Sequence, residues 1–204
     1  MLSNFELEDL AKKMSVPLER VCFKDELDEE HLKFNRSYIV NMEDSVDENG
    51  KQNEGTHWTC FQVNKYPNGL IEPIYFDSYG VAPPIAVKKF VEKGCNTHLN
   101  FTTRDIQSLM GNACGFFCLA FLHFINHFPH RSKELYRDTD TFLTLFDDLG
   151  VSCDWKKNEF ILRLFFQSED VSKRSDLSNV LPKKLNDDPN KKDMMKIPVD
   201  VAYV

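Results

Sequence analysis

Apolar and polar positions along this chain repeat with two different periods, and the switches between them outline its elements. Phe5, Leu7, Leu10, Ala11 and Met14 recur at helical spacing, Asn4 stands where a cap would sit, and Pro17 lies beyond the end, so a helix is predicted there. Tyr38-Ile39-Val40-Asn41-Met42 reads as a short strand. The acidic stretch Glu43 to Glu54, with Asn49-Gly50 as a turn signal, reads as a loop. His57 to Val63 and Ile71 to Asp77 are strand-like runs, and Tyr66-Pro67-Asn68-Gly69 between them is a hairpin signature. Pro83-Pro84 opens a helix from about Ile85 to Lys93, and Leu99-Asn100-Phe101 is a further strand candidate.

The most apolar segment is Ala113 to Phe128. At about 100° per residue its apolar side chains point in nearly every direction, which places this helix in the middle of a domain. Pro129 is expected to stop it, and two more helices are predicted over 139–149 and 155–166. Short strands with several helices, and no βαβ regularity, argue for an α+β fold. Residues 1–170 read as one domain. Residues 171–204 read as a polar tail that wraps the domain or is partly disordered, and they hold three of the nine prolines. The tail's apolar end, Ile197, Val199, Val201 and Tyr203, alternates with period two and is suited to an edge strand.

Composition narrows the function classes. Hydrophobic residues make up 42% of the 204, with 17 Phe, enough for an aromatic-rich core. The net charge of −7 argues against a dedicated nucleic-acid binder. No apolar run has the length of a membrane span, and the first residues lack a signal-peptide core, so a soluble intracellular protein is expected. The six cysteines form no CxxC pair, which fits a reducing compartment.

One cysteine stands apart. Cys114, in Gly111-Asn112-Ala113-Cys114-Gly115, falls at the start of the central helix, where the helix dipole favours thiolate. Gly111 and Gly115 allow close backbone approach and leave N–H groups for a substrate oxygen. A small buried core thiol is the ordinary alternative. A thiolate nucleophile needs a base and a group to orient it. The hairpin brings His57, at the start of one strand, beside Asp77, at the end of the next. Alone, either residue reads as a strand-edge histidine or a turn former.

Together, His57-Trp58, the Phe76-Asp77-x-x-Gly80 turn, Gln107 and Ala113-Cys114-Gly115-x-Phe117-Cys118 resemble adenain, the adenovirus-type maturation protease, in order and approximate spacing. Phe121-Leu122-His123 and Asn126-His127-Phe128-Pro129 are similar to the rest of that family's nucleophile helix. The His–acid–Gln–Cys order is shared with proteases that process SUMO and other ubiquitin-like proteins. The resemblance covers roughly residues 1–150. It implies a small mixed central sheet around a buried nucleophile-bearing helix, with further helices outside. It also implies that Cys114 is the nucleophile, His57 its base, Asp77 the orienting acid (Glu in adenain) and Gln107 an oxyanion donor beside the Cys114 N–H. Gly115 would line the same backbone site, and Trp58 would shield the His–Cys pair or simply pack in its strand.

On this resemblance the chain is expected to be a cysteine endopeptidase that processes viral capsid or virion precursor proteins during maturation. It would act as a monomer in the host cytoplasm or virus factory and be packaged in the virion. The alternative is a deconjugating protease for a ubiquitin-like protein. A noncatalytic module that keeps the fold is the rival from outside enzymology. No cofactor is required. Adenain takes an activating peptide through a disulfide, and Cys95 lies near the corresponding place, so an activating peptide is an added expectation. The acidic charge speaks against a DNA activator. A metal site built from Cys114, Cys118, His123 and His127 is set aside, because the Cys and His pairs face opposite sides of one helix.

Overall fold

The computed structural model describes residues 2–29, 31–108, 111–127, 134–150, 155–166 and 201–202. Helix α1 (Asn4–Lys13) is capped by Ser3 rather than Asn4. The Ser3 Oγ accepts from Glu6 N at 3.3 Å, and Ser3 N donates to Glu6 Oε2 at 2.8 Å, a reciprocal capping box. Phe5 lies about 200° around the helix from Leu7, so it faces outward, 83% exposed, and is not part of the expected apolar stripe, while Leu7, Ala11 and Met14 are buried. Strand β1 (Leu18–Phe23) follows, then a 3-10 helix (Lys24–Glu29), β2 (Ser37–Asn41), β3 (Trp58–Lys65), β4 (Ile71–Phe76), α2 (Ile85–Cys95) and β5 (Asn100–Thr102). Helices α3 (Cys114–His127), α4 (Leu135–Leu143) and α5 (Trp155–Leu164) complete the body, and β6 (Val201–Ala202) adds at the edge.

The strands lie side by side in chain order in one mixed sheet. β1/β2 and β4/β5 are parallel, and β2/β3, β3/β4 and β5/β6 are antiparallel. Side chains alternate across the sheet as the pleat requires. Ile39, Trp58, Cys60, Ile74 and Phe76 face α1, α3 and α4, whereas Tyr38, Val40, Phe61, Val63 and Tyr75 face α2. Two separate cores result, one on each face. The α3 face is built on stacked and edge-on rings, with Phe76 over Phe121 at 4.5 Å and Phe142 edge-on to both. Helix α3 is buried nearly all round, as its composition predicts.

Several elements differ from the sequence expectation, among them the 3-10 helix Lys24–Glu29, which no pattern announced. β1 carries Glu19 and Arg20 and has no apolar alternation to announce it; pairing with β2, Val21 against Ile39 and Cys22 against Val40, makes it a strand. Helix α4 runs Leu135–Leu143 where 139–149 was expected; it starts early because Leu135 N donates to the buried Glu72 carboxylate of β4 at 2.7 Å, and it ends at the Thr144 cap. The expected edge strand in the tail is present at Val201–Ala202, which pairs with Phe101 and Thr102 of β5. The rest of 171–204, and Pro129, lie outside the described residues. No helix among the described residues is long and apolar enough to cross a membrane.

Candidate active site

Helix α3 is laid along β3 and pinned at intervals. Cys118 Sγ donates to Trp58 O at 3.4 Å, and Cys60 Sγ to Cys118 O at 3.9 Å. At the far end the Gln62 and Asn126 amides bond reciprocally, at 3.2 and 3.0 Å. This alignment carries the first residue of α3, Cys114, to the first residue of β3. Trp58 N donates to Cys114 Sγ at 3.5 Å.

The hairpin supplies the other partners. Gly69 takes φ +86° in its turn, and Cys60 stands opposite Phe76, so the residue before β3 meets the residue after β4. His57 Nε2 and Asp77 Oδ1 are 3.0 Å apart, with the Asp77 side chain fully buried. That bond leaves His57 Nδ1 for the thiol. Burial disfavours the imidazolium, but the bonds to Asp77 and Cys114 outweigh it and raise His57 to about 9. Burial likewise pushes the Cys114 thiol up. The bond with His57 and the N–H groups of Trp58 and Gly115 overcome this, and the thiol rests below its ordinary value. A lowered thiol beside a raised imidazole is the pattern of a thiolate–imidazolium pair.

The turn after β4 organises the rest. Gly80 has φ +68°, and a Cβ there would collide with the Thr103 carbonyl, so only glycine closes this turn against the 103–104 backbone. Within the turn, Tyr79 N donates to Asp77 Oδ1 at 2.7 Å and fixes the carboxylate behind His57. Ser78 O accepts from Ile106 N and Gln107 N, at 2.9 and 3.1 Å, and Ser78 Oγ donates to Gln107 Oε1 at 2.8 Å. Gln107 Nε2 donates to Gly111 O and to Tyr79 OH, both at 2.9 Å.

Cys114, His57 and Asp77 therefore meet, and Gln107 joins them through the 77–80 turn and the Gly111 carbonyl. Trp58 contributes its backbone N–H to the sulfur; its indole is buried and donates to Leu2 O at 2.9 Å. Gly115 packs against Leu7, Leu2 and Trp58, and its backbone helps hold the Cys114 thiol below its ordinary value. Ala113 and Phe116 border an apolar groove whose other wall is Leu162, Arg163 and Phe166. Cys95 belongs to the core on the opposite face of the sheet. Its thiol donates to Thr97 O, and burial holds its pKa up. His123 Nδ1 and His127 Nε2 donate to Met14 O and Ser15 O at the end of α1. Among the described residues no cluster of three or more His, Cys, Asp or Glu could hold a metal ion.

Tyr79, which nothing in the sequence pattern singles out, also borders the site. Its ring lies against His57, centroids 4.7 Å apart and tilted 30°. The signal available was its place inside the Asp77–Gly80 turn. No protein-family model matches the chain, and no curated protein matches it.

Proposed function

We propose that the chain is a cysteine endopeptidase in which Cys114 is the nucleophile. The observation that supports this reading best is the chain of contacts from sulfur to imidazole to buried carboxylate. It sits at a helix N-terminus, with the polarity that activates a thiol. In the reaction, the Cys114 thiolate attacks the scissile carbonyl and a C–S bond forms. The carbonyl electron pair moves onto oxygen. The tetrahedral adduct collapses as the C–N bond breaks, and His57 gives its Nδ1 proton to the leaving amine. His57 then takes a proton from water, which attacks the thioester and releases the acid and the thiolate. Asp77 keeps the Nε2–H of the imidazole pointed away from the sulfur. The chain's own side chains suffice for these steps, so no cofactor is called for.

The substrate class rests on the resemblance to adenain. It is a capsid or other virion precursor protein, cleaved after a small residue during maturation, in the host cell or virus factory and within the particle. Processing of a ubiquitin-like protein uses the same constellation and is the competing substrate class. The test is incubation of the full chain and its Cys114→Ala variant with capsid precursors and with ubiquitin-like conjugates. Cleavage of the precursor that is lost in the variant is expected. Equal cleavage by Cys114→Ala would refute the assignment, and cleavage of the conjugate alone would move the substrate to the second class.

A further inference from the structure

Within the thiol-protease reading, in which Gln107 meets the oxyanion, we infer that Asn158 of α5 is a positioning residue that fixes the peptide from which Gln107 projects. Helix α5 lies beyond the 1–150 stretch that carries the resemblance to adenain, so this role is the chain's own. Asn158 is 1% exposed, and its amide is fully used. Its Nδ2 donates to Ile106 O at 3.0 Å and to Asp147 O at 2.7 Å, and its Oδ1 accepts from Asp147 N at 2.7 Å. An amide is costly to bury, and an apolar side chain would fill the space without that cost. A satisfied amide aimed at main chain contributes a defined geometry instead.

That geometry is the peptide between Ile106 and Gln107. Its carbonyl oxygen is held by Asn158, and its N–H donates to Ser78 O at 3.1 Å. A trans peptide is planar, with C=O and N–H on opposite sides, so the two bonds together fix its rotation. The Gln107 side chain, which meets Ser78, Tyr79 and Gly111, starts from that plane. The second and third bonds of Asn158 anchor it to the 143–149 segment, which is itself laced to the same stretch of chain. Arg104 donates to Leu143 O and Phe146 O, both at 3.1 Å, and Leu149 N donates to Asp105 O at 2.7 Å. Asp77 does not depend on this hold. Its carboxylate is fixed by Tyr79 N, inside its own turn, and by His57. Loosening Asn158 therefore disturbs the oxyanion side of the site and spares the thiolate–imidazolium side.

The test uses the full chain, Asn158→Ala, Asn158→Asp, Gln107→Ala, the Asn158→Ala/Gln107→Ala double variant and Ile161→Ala, with Cys114→Ala as the blank. The probes are p-nitrophenyl acetate, whose acetyl group is transferred to Cys114 with release of p-nitrophenolate, and iodoacetamide, which reports the thiolate and needs no oxyanion donor. Asn158→Asp keeps the size and the acceptor for Asp147 N but has no amide hydrogens, and it carries the test if Asn158→Ala does not fold. Ile161→Ala trims a buried side chain of the same helix and removes no hydrogen bond. Gln107→Ala is expected to acylate about 10²-fold more slowly and each Asn158 variant about 10-fold more slowly. The double variant should be no slower than Gln107→Ala. Alkylation should stay at the wild-type rate in all of them, and Ile161→Ala should keep both rates. Acylation at the wild-type rate in the Asn158 variants or in Gln107→Ala, an equal loss in Ile161→Ala, or losses that multiply in the double variant would overturn the inference and leave the protease reading standing. A parallel loss of alkylation would assign Asn158 to the thiolate pair and overturn it too. A wild-type chain that iodoacetamide modifies but p-nitrophenyl acetate does not acylate would refute the protease reading itself, and the inference with it.

Discussion

Replacing Asp77 by Asn takes one negative charge from behind His57 and leaves an acceptor of the same size between His57 Nε2 and Tyr79 N. The folded imidazole sits at about 9 against an ordinary 6.5, and the bonds to Asp77 and to Cys114 are what raise it. A hydrogen bond to a charged group contributes about 1.5–3 kcal/mol and a neutral one about 1. Losing the charge but not the bond therefore removes about 1–2 kcal/mol, or about one pKa unit at 1.36 kcal/mol each. The Cys114 thiol, which the imidazolium holds down, rises in turn. The same bookkeeping fixes a stability trend. Because folding raises this pKa, the stability from the protonated ring is complete below about pH 6.5. It is lost as the pH climbs through about 9. The assay is a titration of ring nitrogens by NMR on [15N]histidine-labelled chain, with His57→Ala to assign the signal and iodoacetamide kinetics alongside. The wild-type ring is expected to titrate near 9 and the Asp77→Asn ring about one unit lower. A wild-type His57 that titrates at 6.5, or an Asn variant that does not move it, would refute the reasoning.

Other expected outcomes concern the surroundings of the pair. Gly80→Ala forces a Cβ into the Thr103 carbonyl at φ +68° and should lower unfolding free energy by about 2–3 kcal/mol in urea melts; a loss under 0.5 would show that the turn relaxes freely. One equivalent of iodoacetamide at pH 7 should label Cys114 and spare Cys118, whose fully buried thiol is pushed well above its ordinary value, as peptide mapping would reveal. Ser3→Ala breaks the capping box and should cost about 1 kcal/mol in thermal or chemical unfolding, where Asn4→Ala costs little. Cys95→Ala should leave p-nitrophenyl acetate turnover intact without any added peptide; a lost activity that only a thiol-bearing peptide restores in wild type would return Cys95 to an activating role.

What could be read from the residues and what could not differ in a physical way. The Tyr66–Gly69 turn dictates where two strands end, so the meeting of His57 and Asp77 follows from local chemistry. The all-round apolar surface of α3 marks it as central by itself. The parallel pairing of β1 is a different matter, since Leu18–Phe23 becomes a strand only because β2 lies beside it. The start of α4 is set by Glu72, a carboxylate contributed by a strand far back in the chain. Assigning Asn4 as the cap failed by one residue because Ser3 and Glu6 satisfy each other, a reciprocity that outweighs a lone Asn. The Gln107 amide was visible as a donor, but its acceptors, Gly111 O and Tyr79 OH, depend on how the 77–80 turn folds back onto the 106–111 loop.

The pinning of α3 along β3 has a bearing on when such a chain becomes dangerous to its surroundings. During synthesis the imidazole leaves the ribosome long before the sulfur, and neither is unusual until the sheet and the helix have closed on each other. Under the thiol-protease reading, a chain assembled this way would be harmless as a nascent or misfolded polypeptide. The cutting that this reading assigns to Cys114 would appear only with the completed interior, so quality control would be built into the wiring of the fold.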